Sequence, residues 1–168
     1  MATTFAVSSK DYARPWKNVR IQHFPEGASS TFKRGEVVIK GGAGVENRVI
    51  IAADNPTSAV LGIAAADASG TTGAKVPVWL ATPEAEFIIR TISTDPVDFT
   101  DIGTLRAVEK DATNVIWVVD TSDASNDSVV CLQYLDPRTK EVQTTEGDTS
   151  VWVVIKFVPA ATVWSGTV

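Results

Sequence analysis

The chain has 168 residues, a length typical of one domain or of two small ones. It contains one His and one Cys (His23 and Cys131), which excludes an intrachain disulfide and a Cys/His zinc cluster. Val, Ile and Thr together number 53, against 5 Leu and 1 Met. Because β-branched residues favour strands and unbranched Leu and Met favour helices, this composition predicts an all-β fold.

The net charge of −5 is unevenly distributed along the chain. Residues 1–48 hold eight Lys/Arg and four Asp/Glu, a net +4, whereas residues 49–168 are net −9. A basic N-terminal part on an acidic body indicates either contact with an anionic surface or a chance difference between small counts. The acidic body disfavours nucleic acid as a direct partner, since neutralising phosphates requires a clustered basic face. No apolar run approaches the length of a membrane span, so no membrane partner is predicted.

Residues 1–18 show neither a helical nor a strand period, and Pro15 opposes a helix. We predict an extended N-terminal arm that carries three aromatic residues, Phe5, Tyr12 and Trp16. Aromatic side chains on an isolated arm cannot bury themselves, so they need the body or a neighbouring molecule to dock on.

From Val19 onward, short apolar runs alternate with turn signals rich in Gly, Pro, Asn and Asp. The ten candidate strands are Val19–Phe24, Glu36–Lys40, Arg48–Ala53, Ala59–Ala65, Lys75–Ala81, Glu86–Ser93, Thr104–Glu109, Val115–Asp120, Ser128–Leu135 and Val151–Val158. Their spacing is typical of a barrel- or sandwich-like body, and the best place for a helical turn is Ala64–Ala68. The glycine-rich stretch at 41–44 lacks a following Lys-Ser/Thr, which indicates a hairpin turn and not a nucleotide site.

A change in composition near Ser93–Asp101 divides the body into two β lobes, 19–93 and 94–158, which form either two domains or one. The tail, 159–168, bears Trp164 and is either a final edge strand or a second docking arm. Along Val151–Val158, apolar residues alternate between two faces, and Val115–Asp120 is apolar on both faces until Asp120. A strand that is apolar on both faces is covered on both, by a second sheet or by another subunit.

The candidate chemical sites are weak. The loop from Asp120 to Asp127 is rich in oxygen ligands and could bind Ca²⁺, but it lacks the EF-hand spacing, and an ordinary loop built from Asx turns is favoured. His23 and Cys131 are interpreted as structural residues, Cys131 as a small buried apolar one. Twelve Asp and eight Glu leave open a hydrolase that uses paired carboxylates. No catalytic residue, cofactor or metal is predicted.

Five Trp residues distinguish the chain. Trp117 and Trp152 lie in mid-strand and are predicted to belong to the core, whereas Trp16 and Trp164 lie in the arm and tail and are interpreted as docking anchors. The same residues could form a sugar-binding platform, so a carbohydrate- or receptor-binding module of a virion is the alternative function.

The order of strands and glycines resembles that of the head decoration, or cement, proteins of tailed bacteriophages. The resemblance covers most of 32–157 and is carried by Phe32–Lys40, Gly44–Ala53, Ala59–Gly70, Lys75–Leu80, Ile102–Leu105, Asn114–Asp120 and Val129–Asp136. It implies a β-rich, often trimeric protein on the outer surface of the capsid, which bridges major capsid proteins and has no catalytic residues. Assembly would take place in the host cytoplasm, where the absence of disulfides is typical.

The leading hypothesis is therefore a capsid decoration protein whose partner is the major capsid protein. The expected capsid or subunit contacts are the aromatic and basic residues of the arm and tail, namely Phe5, Tyr12, Arg14, Trp16, Lys17, Arg20 and Trp164.

Overall fold

The structure is a computed structural model that describes residues 3, 5–6, 10–41, 47–92, 94–113 and 116–164. Parts of the predicted arm and tail, and most of the predicted glycine-rich turn, therefore lie outside the described residues. The strands are β1 (Arg14–Lys17), β2 (Ile21–Pro25), β3 (Val37–Lys40), β4 (Val49–Ile51), β5 (Val60–Ala64), β6 (Lys75–Leu80), β7 (Glu86–Thr91), β8 (Leu105–Asp111), β9 (Ile116–Asp120), β10 (Val129–Leu135) and β11 (Trp152–Phe157). Two short 3₁₀ helices, at Phe99–Asp101 and Pro159–Ala161, complete the elements of the described chain.

The all-β prediction is confirmed, and each of the ten predicted strands corresponds to one of β2 to β11. The predicted helical turn after Ala64 is wrong. The backbone N–H of Ala65 donates to the carbonyl of Pro77, and that of Ala68 donates to the carbonyl of Phe32. These hydrogen bonds to distant segments replace the local ones that a helical turn requires.

The first sheet is antiparallel and has the order β2-β6-β5-β3-β4. A parallel bridge between Glu26 and Val49 joins the end of β2 to β4. One face of this sheet buries its own apolar cluster, which consists of Phe32, Val38, Val49, Leu61, Ala64, Val76, Val78 and Leu80.

The second sheet has the order β1-β7-β11-β10-β8-β9, and it closes on itself because β9 also pairs in parallel with β7. β1 pairs with the first half of β7, whereas β9 pairs with Arg90 and Thr91 near its end. Closure gives β9 a hydrogen-bonded neighbour on each edge, and Ile116–Val119 is buried on both faces, as the sequence predicts.

The main core contains buried residues from both sheets, including Val37 and Ile63 of the first and Phe87 and Ile155 of the second. The predicted alternation in β11 is confirmed, since Val153, Ile155 and Phe157 face this core while Trp152 and Val154 pack in a smaller cluster on the opposite face. We therefore describe the two sheets as one sandwich-like body. No helix in the described ranges has the length and apolarity needed to cross a membrane.

The N-terminal segment packs against the body of the chain. Ala13 is buried in the main core, and Tyr12 packs so closely on Gly35 that a Cβ at position 35 would lie 2.4 Å from the Tyr12 Cβ. The guanidinium carbon of Arg34 lies 5.3 Å from the ring centroids of both Tyr12 and Trp79. Tyr12 and Ala13 of the predicted arm are thus packed against the body of their own chain.

Candidate functional surface

The segment that links β1 to β2 is unusually exposed. Seven of the eight residues at 16–23 are exposed, and we call this segment the β1–β2 strip. It contains two large apolar side chains, Trp16 and Ile21, with 38% and 56% of their surface exposed. It also contains two cations, Lys17 and Arg20. Exposed aromatic side chains and Arg are enriched at protein interfaces, so the strip is a candidate interaction surface.

Both ends of the strip are fixed by backbone pairing. Lys17 is paired with Glu86 of β7 after an irregularity in the register, and the carbonyl of Arg20 accepts from the N–H of Leu80 at 2.8 Å. Between these points Asn18 has a φ of 55°, in the left-handed region that Asn tolerates better than most residues. The chain can therefore turn from one sheet into the other, and the strip is preformed.

The strip borders a shallow depression of about 500 Å³, lined by Asn18, Val19, Arg20 and Glu84. Val19 packs inward against the main core, so the floor of the depression is supported by it. A surface with exposed Trp, Ile, Lys and Arg has the composition of a protein-binding site, where aromatic and Arg anchors dominate the affinity.

The predicted contact residues divide into three groups. Trp16, Lys17 and Arg20 lie together on the strip. Phe5, Tyr12 and Arg14 contact their own chain. Trp164 is elsewhere, beside β2 residue Phe24. Three of the seven predicted contact residues therefore lie on one exposed segment, and the other four lie elsewhere.

Phe5 and Arg14 have intramolecular partners. The N–H of Phe5 donates to the carbonyl of Thr149 at 3.2 Å, and the Arg138 guanidinium lies 5.1 Å from the Phe5 ring centroid. The Arg14 guanidinium lies 4.8 Å from the ring centroid of the buried Trp152. These contacts attach the described part of the arm to the body.

Two more cations, Arg90 and Lys140, lie within 5.2 Å of the same Trp152 ring. Burial lowers the pKa of Arg90, and Asp11 partly offsets this effect. Burial lowers the pKa of Lys140, and the charge of Arg14 adds to this effect. Arg90 also donates to the carbonyl of Ala6 at 3.0 Å. The cluster therefore contacts the arm of its own chain.

Trp164 lines a separate pocket of about 340 Å³ at one end of the first sheet. The chain reaches this place because Thr162 forms a parallel bridge with Val60, and the N–H of Val163 donates to the Val60 carbonyl at 3.0 Å. The other residues that line the pocket are Phe24, Lys40, Asn47, Arg48, Leu61 and Val163. The sequence does not predict this set, because sheet order brings its members together from distant positions.

The acidic loop after β9 is built from hydrogen bonds to its own backbone. Asp120 accepts from the N–H groups of Ser122 and Asp123, and Asp123 accepts from the N–H groups of Ser125 and Asn126. These are the Asx turns that the favoured interpretation expects. Among the described residues, no group of three or more His, Cys, Asp or Glu side chains is placed to hold a metal ion.

Asp95 and Asp120 form a hydrogen-bonded carboxyl pair under this loop. Burial raises the pKa of Asp95, and the neighbouring Asp120 raises it further. Burial alone would also raise the pKa of Asp120, but hydrogen bonds from the hydroxyl and N–H of Ser122 lower it. Burial likewise raises the pKa of the nearby Glu109, and the charge of Asp120 adds to the effect. At a pH between the lower pKa of Asp120 and the higher pKa of Asp95, the pair therefore holds one proton, and Asp95 carries it.

This pair predicts a pH dependence of stability. The pKa of Asp95 is raised on folding. The contribution of Asp95 to the free energy of unfolding is therefore fully present below its unfolded pKa of about 4, and it is lost as pH rises through the folded pKa. In Asp95→Asn the amide can donate to Asp120 permanently, while its oxygen still accepts from the N–H of Thr121. We expect the free energy of unfolding at neutral pH to rise by about 1 kcal/mol, measured by urea denaturation.

The control for this experiment is Asp98→Asn, on the exposed N-cap of the first 3₁₀ helix. Hydrogen bonds from Thr100 lower the pKa of Asp98, so its pKa shift is opposite in direction to that of Asp95. Asn is as good an N-cap as Asp, and we expect no gain in stability at neutral pH. A loss of stability in Asp95→Asn at neutral pH would contradict the shared-proton interpretation.

Four other candidate residues have definite positions. Cys131 is confirmed as a small buried core residue, and burial raises the pKa of its thiol to about 12. Trp117 and Trp152 are confirmed as buried, as the sequence predicts. His23, interpreted as a structural residue, is exposed on β2.

No family model, no curated protein and no solved structure matches the chain.

Proposed function

We propose that the chain is a capsid decoration protein of a tailed bacteriophage. In this proposal it binds the outer surface of the head, bridges major capsid proteins and stabilises the shell. The observation that carries the proposal is the β1–β2 strip, where Trp16 and Ile21 are exposed beside Lys17 and Arg20. The resemblance of 32–157 to decoration proteins supports the same function.

The strip suggests how the capsid would be bound. Ordering a free segment costs about 1–2 kcal/mol per residue in backbone entropy. Because both ends of the strip are already paired within the sheets, binding would not incur most of this cost. Lys17 and Arg20 favour an acidic patch on the partner, and Trp16 requires an apolar pocket within it.

Self-association as a trimer and a position on the outer capsid surface belong to the same proposal. A trimer would present three strips to neighbouring capsid subunits, so their affinities would combine through effective concentration. Size-exclusion chromatography with light scattering measures the oligomeric state, and a strictly monomeric protein would contradict the trimer.

The test uses heads of the encoding phage from which accessory proteins have been removed, and cosedimentation of the purified chain. Deleting residues 2–18 would also remove β1 and the buried Ala13, so point variants are the sharper choice. We expect Trp16→Ala to weaken head binding by roughly 30-fold, the loss typical of a hot-spot aromatic residue. We expect Lys17→Glu to slow association and to reduce the dependence of binding on salt.

Val142→Ala is the matched control, because Val142 is an exposed apolar side chain outside the strip. Its binding to heads should equal that of the unsubstituted chain. If Trp16→Ala and Lys17→Glu also bind normally, the strip is not the contact surface. If the unsubstituted chain does not bind heads, the proposed function is wrong.

A second candidate function is a carbohydrate- or receptor-binding module of a virion. The specific observation in its favour is the pocket beside Trp164, which combines two aromatic side chains with two cations. This pocket is lined by none of the strip residues 16–23, so the two functions can be tested separately.

A further inference from the structure

The pocket beside Trp164 combines apolar walls with cationic polar groups. Its apolar walls are Phe24, Leu61, Val163 and Trp164. Its ionisable groups are both cations, Lys40 and Arg48. Ligand sites are typically concave and mostly apolar, with a few polar groups that fix orientation, and this pocket has that composition.

The two cations are available to a ligand. No carboxylate of the described chain lies within salt-bridge distance of Lys40 or Arg48, whereas Lys33, Arg106, Lys110 and Lys156 each have one. Charge-assisted hydrogen bonds from Lys and Arg are strong, and the planar fork of Arg matches a carboxylate. These two cations favour an anionic group on a ligand, and the Asn47 amide in the same lining can both donate and accept.

The aromatic side chains favour a ring with an apolar face. Trp164 is 38% exposed, and Phe24 is half-buried with its inner side against the cluster of the first sheet. Rings held in this way offer flat apolar surface at a low entropic cost on binding. A pyranose ring has C–H groups on its faces and hydroxyls around its edge, which fits two aromatic walls and one amide.

The backbone around the pocket disfavours an extended peptide. The N–H of Lys40 donates to Ala59, that of Gly41 to Arg48, and that of Val163 to Val60. A peptide that adds a strand needs free N–H and C=O groups along an edge, and these donors are already used. Recognition would therefore occur through side chains, which suits a compact ligand.

The geometry points to a binding site for a sugar that carries a carboxylate, with the ring against Trp164 and Phe24 and the carboxylate on Arg48 and Lys40. This inference depends on the second candidate function and names its ligand class. It does not require that the chain bind capsids.

The test is titration of the full chain with D-glucuronate, with binding measured by isothermal calorimetry and by ligand-observed NMR. D-glucose is the matched neutral ligand, since the two differ only in the carboxylate at C6. We expect glucuronate to bind at least tenfold more tightly than glucose, the difference typical of a charge-assisted hydrogen bond. Added salt should weaken the binding of glucuronate more than that of glucose.

The variants separate the two parts of the site. We expect Arg48→Ala and Trp164→Ala each to weaken glucuronate binding about tenfold or more, and Arg48→Lys to restore part of the loss. Trp16→Ala, on the strip, should leave it unchanged, and circular dichroism verifies that each variant is folded. Equal binding of glucose and glucuronate, no binding of either, or tighter binding of an acidic peptide would each overturn the proposal.

Failure here is distinguishable from failure of the capsid function. Absence of glucuronate binding together with normal head binding would overturn the sugar site and would leave the capsid function unaffected. Normal glucuronate binding without head binding would instead make the second candidate function the better one.

Discussion

Gly62→Ala is expected to lower the free energy of unfolding by more than about 3 kcal/mol, among the largest effects of a single methyl group on this fold. Gly62 lies in the middle of β5, where every residue is buried. A Cβ at this position would lie 1.9 Å from the carbonyl oxygen of Trp79 and 3.1 Å from the N of Ala81. Trp79 belongs to β6, and Ala81 follows it directly. Because both atoms belong to the backbone, rotation of a side chain cannot relieve the clash.

The expected consequence is separation of β5 from β6, which pair through Gly62 and Leu80. Urea denaturation and the yield of soluble protein measure the effect. Gly73→Ala is the matched control, because nothing lies within 4 Å of a Cβ there and only its φ of +83° opposes the change. We expect the control to cost about 1–2 kcal/mol. Equal losses in the two variants would contradict the steric explanation.

Most of the fold could be predicted from the sequence because the strands carry local signals. The alternation in β11 and the continuous apolar run of β9 require only neighbouring residues, and both strands have the predicted burial. β1 has no such signal, since Pro15 and the charged ends of the segment suggest a non-strand. It is a strand because Arg14 and Pro15 pair with Ile88 and Phe87, more than seventy positions along the chain.

The residues of the candidate surfaces could be predicted only where they are close to one another in sequence. Trp16, Lys17 and Arg20 are near one another in sequence, and the connection between two strands keeps them together. Tyr12 has similar local sequence, but its ring is packed on Gly35 and beside Arg34. Local composition cannot distinguish an exposed aromatic residue from one that contacts a distant loop.

The pocket beside Trp164 depends still more on tertiary structure. Lys40 and Arg48 are brought together by the β3–β4 hairpin, but Phe24 and Trp164 are 140 positions apart. Their proximity follows from the bridge between Val60 and Thr162, which returns the C-terminal part of the chain to the first sheet. A single sequence contains no periodic signal for such a bridge.

The buried cluster around Asp101 is a second site where a single substitution should have a large effect. Asp101 ends the first 3₁₀ helix; one of its carboxylate oxygens accepts from the Arg106 guanidinium at 2.5 Å, and the other accepts from the Tyr134 hydroxyl at 3.1 Å. Burial by itself would lower the pKa of Arg106, but the hydrogen bond to Asp101 raises it. Burial raises the pKa of the Tyr134 hydroxyl, so Tyr134 remains a donor.

Asp101→Ala is therefore expected to lower the free energy of unfolding by about 3 kcal/mol, because it leaves a largely buried guanidinium without its counter-ion. Asp101→Asn should cost less, since its oxygen can still accept from Tyr134. The matched control is Asp67→Ala, which removes an exposed ion pair with Lys33 at 3.2 Å and an exposed hydrogen bond from the N–H of Arg34 at 2.9 Å, and which should cost about 1 kcal/mol. A double-mutant cycle with Arg106→Ala measures the coupling directly. A coupling energy near zero would mean that Asp101 acts only through Tyr134 and the end of the helix.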